Sequence, residues 1–267
     1  MILRYWIETV RTEGYMDTCS YTDINAETIG RWIDEGWEWG TPIDHGTFLR
    51  AAAGDWQVLL TPTRPVPHAW FGKLDGARVL GLASGGGQQC PIFAAAGAHV
   101  TVLDYTPAQL ESERLVAERE EYPIECIRAD MTKPLPFPDA SFDLIFNPVS
   151  LCYVREVEPI WREAARVLVP GGVLLTGFDT VINYIVDGDE EHISWALPFD
   201  PLANPEQAAF LAEDDAGMQF SHTLDELLGG LLRAGYSIDD LYEDTNGEGR
   251  LHELRFQTSL AVRAVKR

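Results

Sequence analysis

The chain has 267 residues, 46% hydrophobic and 23% charged, which is enough apolar material for one globular domain with additions. Twenty Lys plus Arg stand against 42 Asp plus Glu, and the resulting formal net charge of −22 repels phosphate backbones and excludes nucleic acid as an expected partner. The cysteines, at positions 19, 90, 126 and 152, show neither a CxxC pair nor metal-ligand spacing, and no run approaches the roughly 20 apolar residues of a membrane span. The expectation is a soluble, cytoplasmic chain with buried thiols, no metal and no membrane contact.

Residues 1 to about 15 differ in character from the rest of the chain and read as a loosely held extension before Met16. From Ala26, the positions Ile29, Trp32, Ile33 and Trp37 recur every three or four residues, an amphipathic helix that ends near Gly36 or Gly40 with Trp37 and Trp39 at its end. A second short helix over 45–53 leads to a stretch with Pro62, Pro65 and Pro67, which regular structure does not tolerate. Residues 1–75 therefore read as a helical N-terminal extension and cap.

The segment Arg78 to Cys90 is a strand, a glycine turn and the start of a helix: apolar Val79 to Leu82, then Gly85, Gly86 and Gly87, then an Ala-rich pattern. Glycine reaches positive φ without steric cost and lets a ligand approach the backbone. The N–H groups of the turn and the positive end of the helix are expected to face that ligand. By itself the turn selects no one ligand, and some such turns are purely structural.

Alternation continues with a strand over 99–104, a helix capped by Thr106 and Pro107 running to about Glu121, and strands over 124–129 and 142–147. A helix over 158–168 and, after the Pro170-Gly171-Gly172 turn, a strand over 172–178 complete a pattern that specifies a parallel sheet covered on both faces. Residues 179 to about 222 break the rhythm with three prolines and an acidic run, yet keep Trp195, Phe199, Phe210 and Phe220; an interruption of this length reads as a functional lid. Thr223 then caps a helix over 224–234. Strands over 236–242 and 256–265, separated by turn chemistry at 244–249, pair antiparallel.

Asp104 closes the second strand, where a carboxylate can accept both hydroxyls of a ribose, and Asp130 closes the third, where it can accept from an adenine amino group while Met131 packs on the ring. A strand-end aspartate is commonly a cap or turn residue. Two of them in consecutive strand-helix units after a glycine turn favour a nucleoside ligand.

In these features the chain resembles the class I S-adenosylmethionine-dependent methyltransferases, over about residues 76 to 267. The resemblance rests on the glycine turn, Leu103-Asp104, Ala129-Asp130-Met131, Pro134 to Phe137 before Ser141-Phe142-Asp143, Leu168 to Gly172, and the closing antiparallel strands. More narrowly, Gly81 to Gln89, Asn147 to Ser150, Trp37-Glu38-Trp39 and Gln219 to His222 look like an uncharacterised bacterial branch of these enzymes. The resemblance implies a Rossmann-like three-layer α/β sandwich with a seven-stranded, mostly parallel sheet and an antiparallel last strand. A methyltransferase core over 76–267 would carry the lid at about 179–222.

It also implies S-adenosylmethionine as cofactor; the acceptor is expected to be a small molecule, with its reacting atom selected by no residue. Ala83, Ser84, Gly85 and Gly87 would lie at the methionine end, Asp104 at the ribose, Tyr105 beside the adenine, and Asp130 with Met131 at its edge, with Gln88 a further cofactor contact. The chain departs from the family where an acid usually opens the glycine motif, here Gly81, and at the first glycine, here Ala83; the Asn147 carbonyl or the cap would then have to hold the cofactor's amino group.

Trp37, Trp39 and Tyr153 are candidates to enclose the acceptor or cofactor, although aromatics at element ends commonly serve packing. His222 and His45 are the candidate general bases by pKa, though a lone histidine is more often structural. Asn147-Pro148 is half of the motif of amino-methyltransferases, and Val149 and Ser150 replace its second proline and stacking ring, which disfavours adenine or glutamine as acceptor. A nicotinamide-dependent oxidoreductase and a non-catalytic nucleoside-binding module are the alternatives. The first lacks a Tyr-x-x-x-Lys pair; the second differs only in turnover.

Overall fold

A computed structural model describes residues 20–267, so the expected leader over residues 1 to about 15 lies outside the described residues. Helix α1 (Tyr21–Asp34) starts earlier than its apolar pattern because Ser20 and Asp23 form a reciprocal capping box. Helix α2 (His45–Ala52) is capped by Asp44, which accepts the Thr47 N–H at 2.6 Å. Next along the chain are β1 (Arg78–Leu82), α3 (Gln89–Ala95), β2 (His99–Asp104), α4 (Pro107–Glu120), β3 (Glu125–Arg128), β4 (Phe142–Asn147), α5 (Glu158–Val167) and β5 (Leu168–Asp179). After α6 (Pro205–Glu213), a π-helical stretch Asp225–Gly229 runs into α7 (Gly230–Arg233), and β6 (Tyr236–Asp244), α8 (Gly249–Glu253) and β7 (Ser259–Lys266) end the chain.

The strands form one seven-stranded sheet in the order β3-β2-β1-β4-β5-β7-β6. Strands β3, β2, β1, β4 and β5 pair in parallel, and β7 runs antiparallel to both β5 and β6. This is the Rossmann-like α/β class expected from the sequence. The order reverses between β1 and β4, so the crevice at their carboxyl ends is where a sheet of this type binds a ligand.

Alternation along β1 sends Leu80 and Leu82 to the layer built on Trp161, Ile145, Ile160 and Leu174, and Val79 to the opposite layer of Phe71, Phe93, Phe146 and Trp70. Gly81 shares the side of Val79, and a Cβ there would overlap the sulfur of Cys90 on α3. The Pro170-Gly171-Gly172 turn falls inside β5 as a bulge: Phe142 pairs with Leu168 and Leu144 with Val173, and Gly171 adopts φ +77°.

The proline-rich segment after α2 is held by Asp244, which accepts the N–H groups of Thr63 at 2.8 Å and Arg64 at 2.9 Å. The stretch between β5 and β6 has an apolar cluster of its own, with Tyr184, Phe199 and Leu211 buried beside Cys152 and flanked by Trp195 and Phe210. Among the described residues no helix is long and apolar enough to cross a membrane.

Candidate functional site

An open cleft with an empty volume of about 690 Å³ lies at the carboxyl edge, on the reversal point of the strand order. Its floor is Ala83, Leu103, Asp104, Ala129, Asp130 and Met131 from the ends of β1, β2 and β3, and Val149, Ser150, Tyr153 and Val154 form the wall after β4. Thr22, Asn25, Ala26 and Ile29 close it from above. Their spacing is one face of α1. Sequence reading placed the start of this helix at Ala26 and so missed its polar half; the Ser20-x-x-Asp23 box was the available signal.

The glycine turn does not present its N–H groups to a ligand as expected. Gly85 N–H donates to the Asp104 carboxylate at 3.1 Å, Gly86 N–H to the Gln109 carbonyl at 3.0 Å, and Gly87 N–H to the Glu113 carboxyl at 2.8 Å. All three are spent inside the protein, and Gly85, Gly86 and Gly87 are buried. Behind them pack α4 and the segment that comes after α1: a Cβ on Gly86 would lie 2.6 Å from the Trp39 carbonyl, and one on Gly87 would lie 2.7 Å from that of Ser112. Glycine is required here by close approach as well as by the positive φ of Gly86 and Gly87. Ala83 also has positive φ, +46°, a conformation that strains any residue with a Cβ.

The carboxyls make the site acidic. Asp104 is 8% exposed and accepts the N–H of Thr106 as well as that of Gly85; burial raises its pKa to about 6 despite these bonds. Glu113, fully buried on α4, is raised by desolvation to about 8. Asp130 accepts the Thr132 N–H at 2.8 Å and remains part-exposed in the cleft. Gln109 lines the cleft with its Oε1 buried and unpartnered, and the buried Ser84 Oγ likewise has no partner. Gln109 escaped the sequence reading because a glutamine in a first helical turn carries no pattern of its own.

The other expected residues divide between the cleft and its supports. Tyr105 lines the cleft, donates its hydroxyl to Asp23 at 2.6 Å and stacks under the Arg128 guanidinium at 5.1 Å. Trp37 and Tyr153 also line it, and burial holds the Tyr153 phenol well above its ordinary pKa. Trp39 stands behind the glycine turn. Gln88 donates to the carbonyls of Glu38 at 2.6 Å and Thr41 at 3.0 Å, which fastens the turn to that segment. Asn147 is fully buried; it donates to the Leu82 carbonyl and Ser150 Oγ and accepts from Thr176, so its amide is fully committed below the cleft floor.

Neither histidine reaches the cleft. His222 is buried against the Leu151 carbonyl at 3.0 Å, and desolvation lowers its pKa. His45 sits exposed at the start of α2, paired with Glu120 at 2.8 Å.

Comparison with known proteins agrees with this geometry. A family model described as a methyltransferase domain matches residues 80–176. An uncharacterised methyltransferase of Bacillus subtilis (strain 168), YbaJ, is 36% identical over 249 residues, spanning 91% of this chain and 97% of its own. The crystal structure of an S-adenosylmethionine-dependent methyltransferase from Mesorhizobium loti superposes with a TM-score of 0.57 at 26% identity, over 74% of this chain and 94% of that one. The [4+2]-cyclase SpnF, at 15% identity, shares the fold over 93% of this chain and 97% of its own with a TM-score of 0.59. With its seven-stranded order, its acid-lined cleft at the strand reversal and a relative matched over nearly its whole length, the chain belongs to the class I S-adenosylmethionine-dependent methyltransferases.

Proposed function

We propose that the protein binds S-adenosylmethionine in this cleft and transfers its methyl group to a small-molecule acceptor held under α1 and the 179–222 segment. The observation that carries the reading is the fate of the glycine N–H groups. A diphosphate bound at a turn of this kind needs free N–H donors. Here all three glycine N–H groups are already taken inside the protein, and the carboxyls of Asp104 and Asp130 line the cleft. Such a site repels phosphates and suits a ligand that carries a sulfonium and an ammonium. It favours the methyl donor over a nicotinamide dinucleotide.

Asp104 would accept from the ribose hydroxyls with the lone pairs its two N–H partners leave free, and Tyr105, Asp130 and Met131 would surround the adenine. Ala83, with the unpartnered Ser84 Oγ and Gln109 Oε1 nearby, would meet the methionine end. Gly85, Gly87, Gln88 and Asn147 would act as supports of that surface. S-adenosylmethionine, when bound, supplies a methyl group already activated as a sulfonium. The residues of this chain then have to align the acceptor and keep water out, for which Trp37, Tyr153, Val149 and Val154 form an apolar wall.

Isothermal titration with S-adenosylmethionine and with NADH separates the readings: binding of the first with no heat from the second is expected, and the converse refutes the proposal. Asp104→Ala should weaken S-adenosylmethionine at least tenfold. Release of S-adenosylhomocysteine in a screen of small-molecule acceptors distinguishes an enzyme from a binding module.

A further inference from the structure

Beneath the glycine turn lies a carboxyl that no role in the cleft explains. Glu113 is fully buried on α4; one oxygen accepts the Gly87 N–H at 2.8 Å, and the other, Oε2, has no partner. Filling volume does not account for it, because an apolar side chain fills a buried slot without the cost of desolvating a carboxyl. The place from which an acid on β1 would reach the turn is closed, since Cys90 sulfur occupies the space beside Gly81.

Gly87 links three elements. Its N–H goes down to Glu113, and its carbonyl accepts the Ile43 N–H at 2.9 Å. A Cβ on Gly87 would lie 3.1 Å from Pro42 on one side and 2.7 Å from the Ser112 carbonyl on the other. The Ile43 carbonyl in turn accepts from Arg119 at 2.7 Å. The segment fastened in this way begins at Trp37, which lines the cleft. Gly87 is therefore held on both sides, its N–H, in the peptide shared with Gly86, by Glu113 and its carbonyl, in the peptide shared with Gln88, by Ile43, so its placement bears on both the turn and one aromatic wall of the site.

We propose that Glu113 is a positioning residue of the methyl-donor site: through the Gly87 N–H its carboxyl fixes the glycine turn and, through the Gly87 carbonyl, the Trp37–Ile43 segment against the cleft. The inference rests on the methyl-donor reading above. A buried N–H left without an acceptor is unfavourable enough to reorient a peptide, and a site is only as well formed as the residues that hold its inner surface. Glu113 is faced by Asp104 from β2, the Cys90 thiol from α3, the Cys126 thiol from β3 and the Tyr122 hydroxyl after α4, all of them neutral or acidic. Burial holds its pKa at about 8, so at neutral pH it is mostly the neutral acid.

The test is titration calorimetry of the full chain with S-adenosylhomocysteine, run well below each variant's melting temperature. At pH 7, Glu113→Gln, whose amide oxygen still accepts the Gly87 N–H, should bind within threefold of wild type, and Glu113→Ala should bind at least tenfold more weakly. Wild-type affinity in Glu113→Ala overturns the role of Glu113. Should Glu113→Ala not fold, Glu113→Leu, which fills the same slot and offers the Gly87 N–H no acceptor, is judged by the same tenfold criterion against Glu113→Gln. No binding by wild type refutes instead the methyl-donor reading, and this role with it.

Discussion

Gly81 stands where the family usually has an acid, and the structure traces this to a single neighbour. Gly81 sits in regular pairing within β1, opposite Val102 and Phe146, so its backbone does not demand glycine; its missing Cβ is replaced by the sulfur of Cys90. Gly81→Ala forces an overlap in a core that is fully buried at Cys90, a type of overpacking that costs about 1–3 kcal/mol. Replacing glycine inside a strand returns roughly 0.5–1 kcal/mol of backbone entropy. The net is a loss of about 0–2.5 kcal/mol, centred near 1 kcal/mol, which at the centre lowers the melting temperature by roughly 3 °C. In a Cys90→Ala background the overlap is gone, and Gly81→Ala should be neutral or slightly stabilising. The coupling in this double-mutant cycle is then about 2 kcal/mol in favour of the pair. Urea denaturation of the four proteins measures it. Equal cost of Gly81→Ala in both backgrounds would show that something other than the Cys90 sulfur excludes a side chain at position 81.

Three further outcomes concern the same region. Ala83→Gly, which relieves a left-handed alanine, should raise stability by about 1 kcal/mol in thermal melts, and a loss would mean that the +46° φ carries no strain. Glu113 is raised from 4.5 to about 8, so the folded state keeps a proton that the unfolded chain has released between those pH values; stability contributed by the group is present below 4.5 and falls as pH rises to about 8. Glu113→Gln abolishes that slope, and its advantage over wild type should grow through this window to at most about 5 kcal/mol, then level off; a constant difference from pH 4.5 to 8 refutes the assignment. Asn25→Ala removes the bonds that tie α1 to the Met218 N–H and carbonyl, and should cost about 2 kcal/mol in denaturant melts; an unchanged midpoint would mean that the contact between α1 and the 179–222 segment does not depend on Asn25.

Much of the frame was legible in the sequence because it is written in local patterns. Strand β4 was expected over the residues it occupies, and α2, α4 and α5 within a residue at each end, since hydrophobic periodicity, Thr106-Pro107 and the placement of glycines act over a few positions. The carboxyl-edge acids were legible for the same reason: a strand that ends in Asp104 must deliver it there. Turn chemistry at 244–249 indicated the antiparallel pairing of the last two strands, and the resemblance supplied the rest of the fold class.

The partners of those groups were not legible. From its letters the glycine turn offers free N–H groups to a ligand, and the fold hands them to Asp104, Gln109 and Glu113. The Asn147 side chain is taken by Leu82, Ser150 and Thr176, and the two candidate histidines fold away from the cleft. Asn25 finds Met218 across 193 positions, and Gly87 finds Glu113 across 26, separations at which no sequence pattern specifies a hydrogen bond. The sequence by itself determined which elements form and which residues their ends carry, because those are set by steric and hydrophobic rules acting along the chain. Only the tertiary structure decided which donors stay free, because a buried polar group takes whichever partner the packing brings to it.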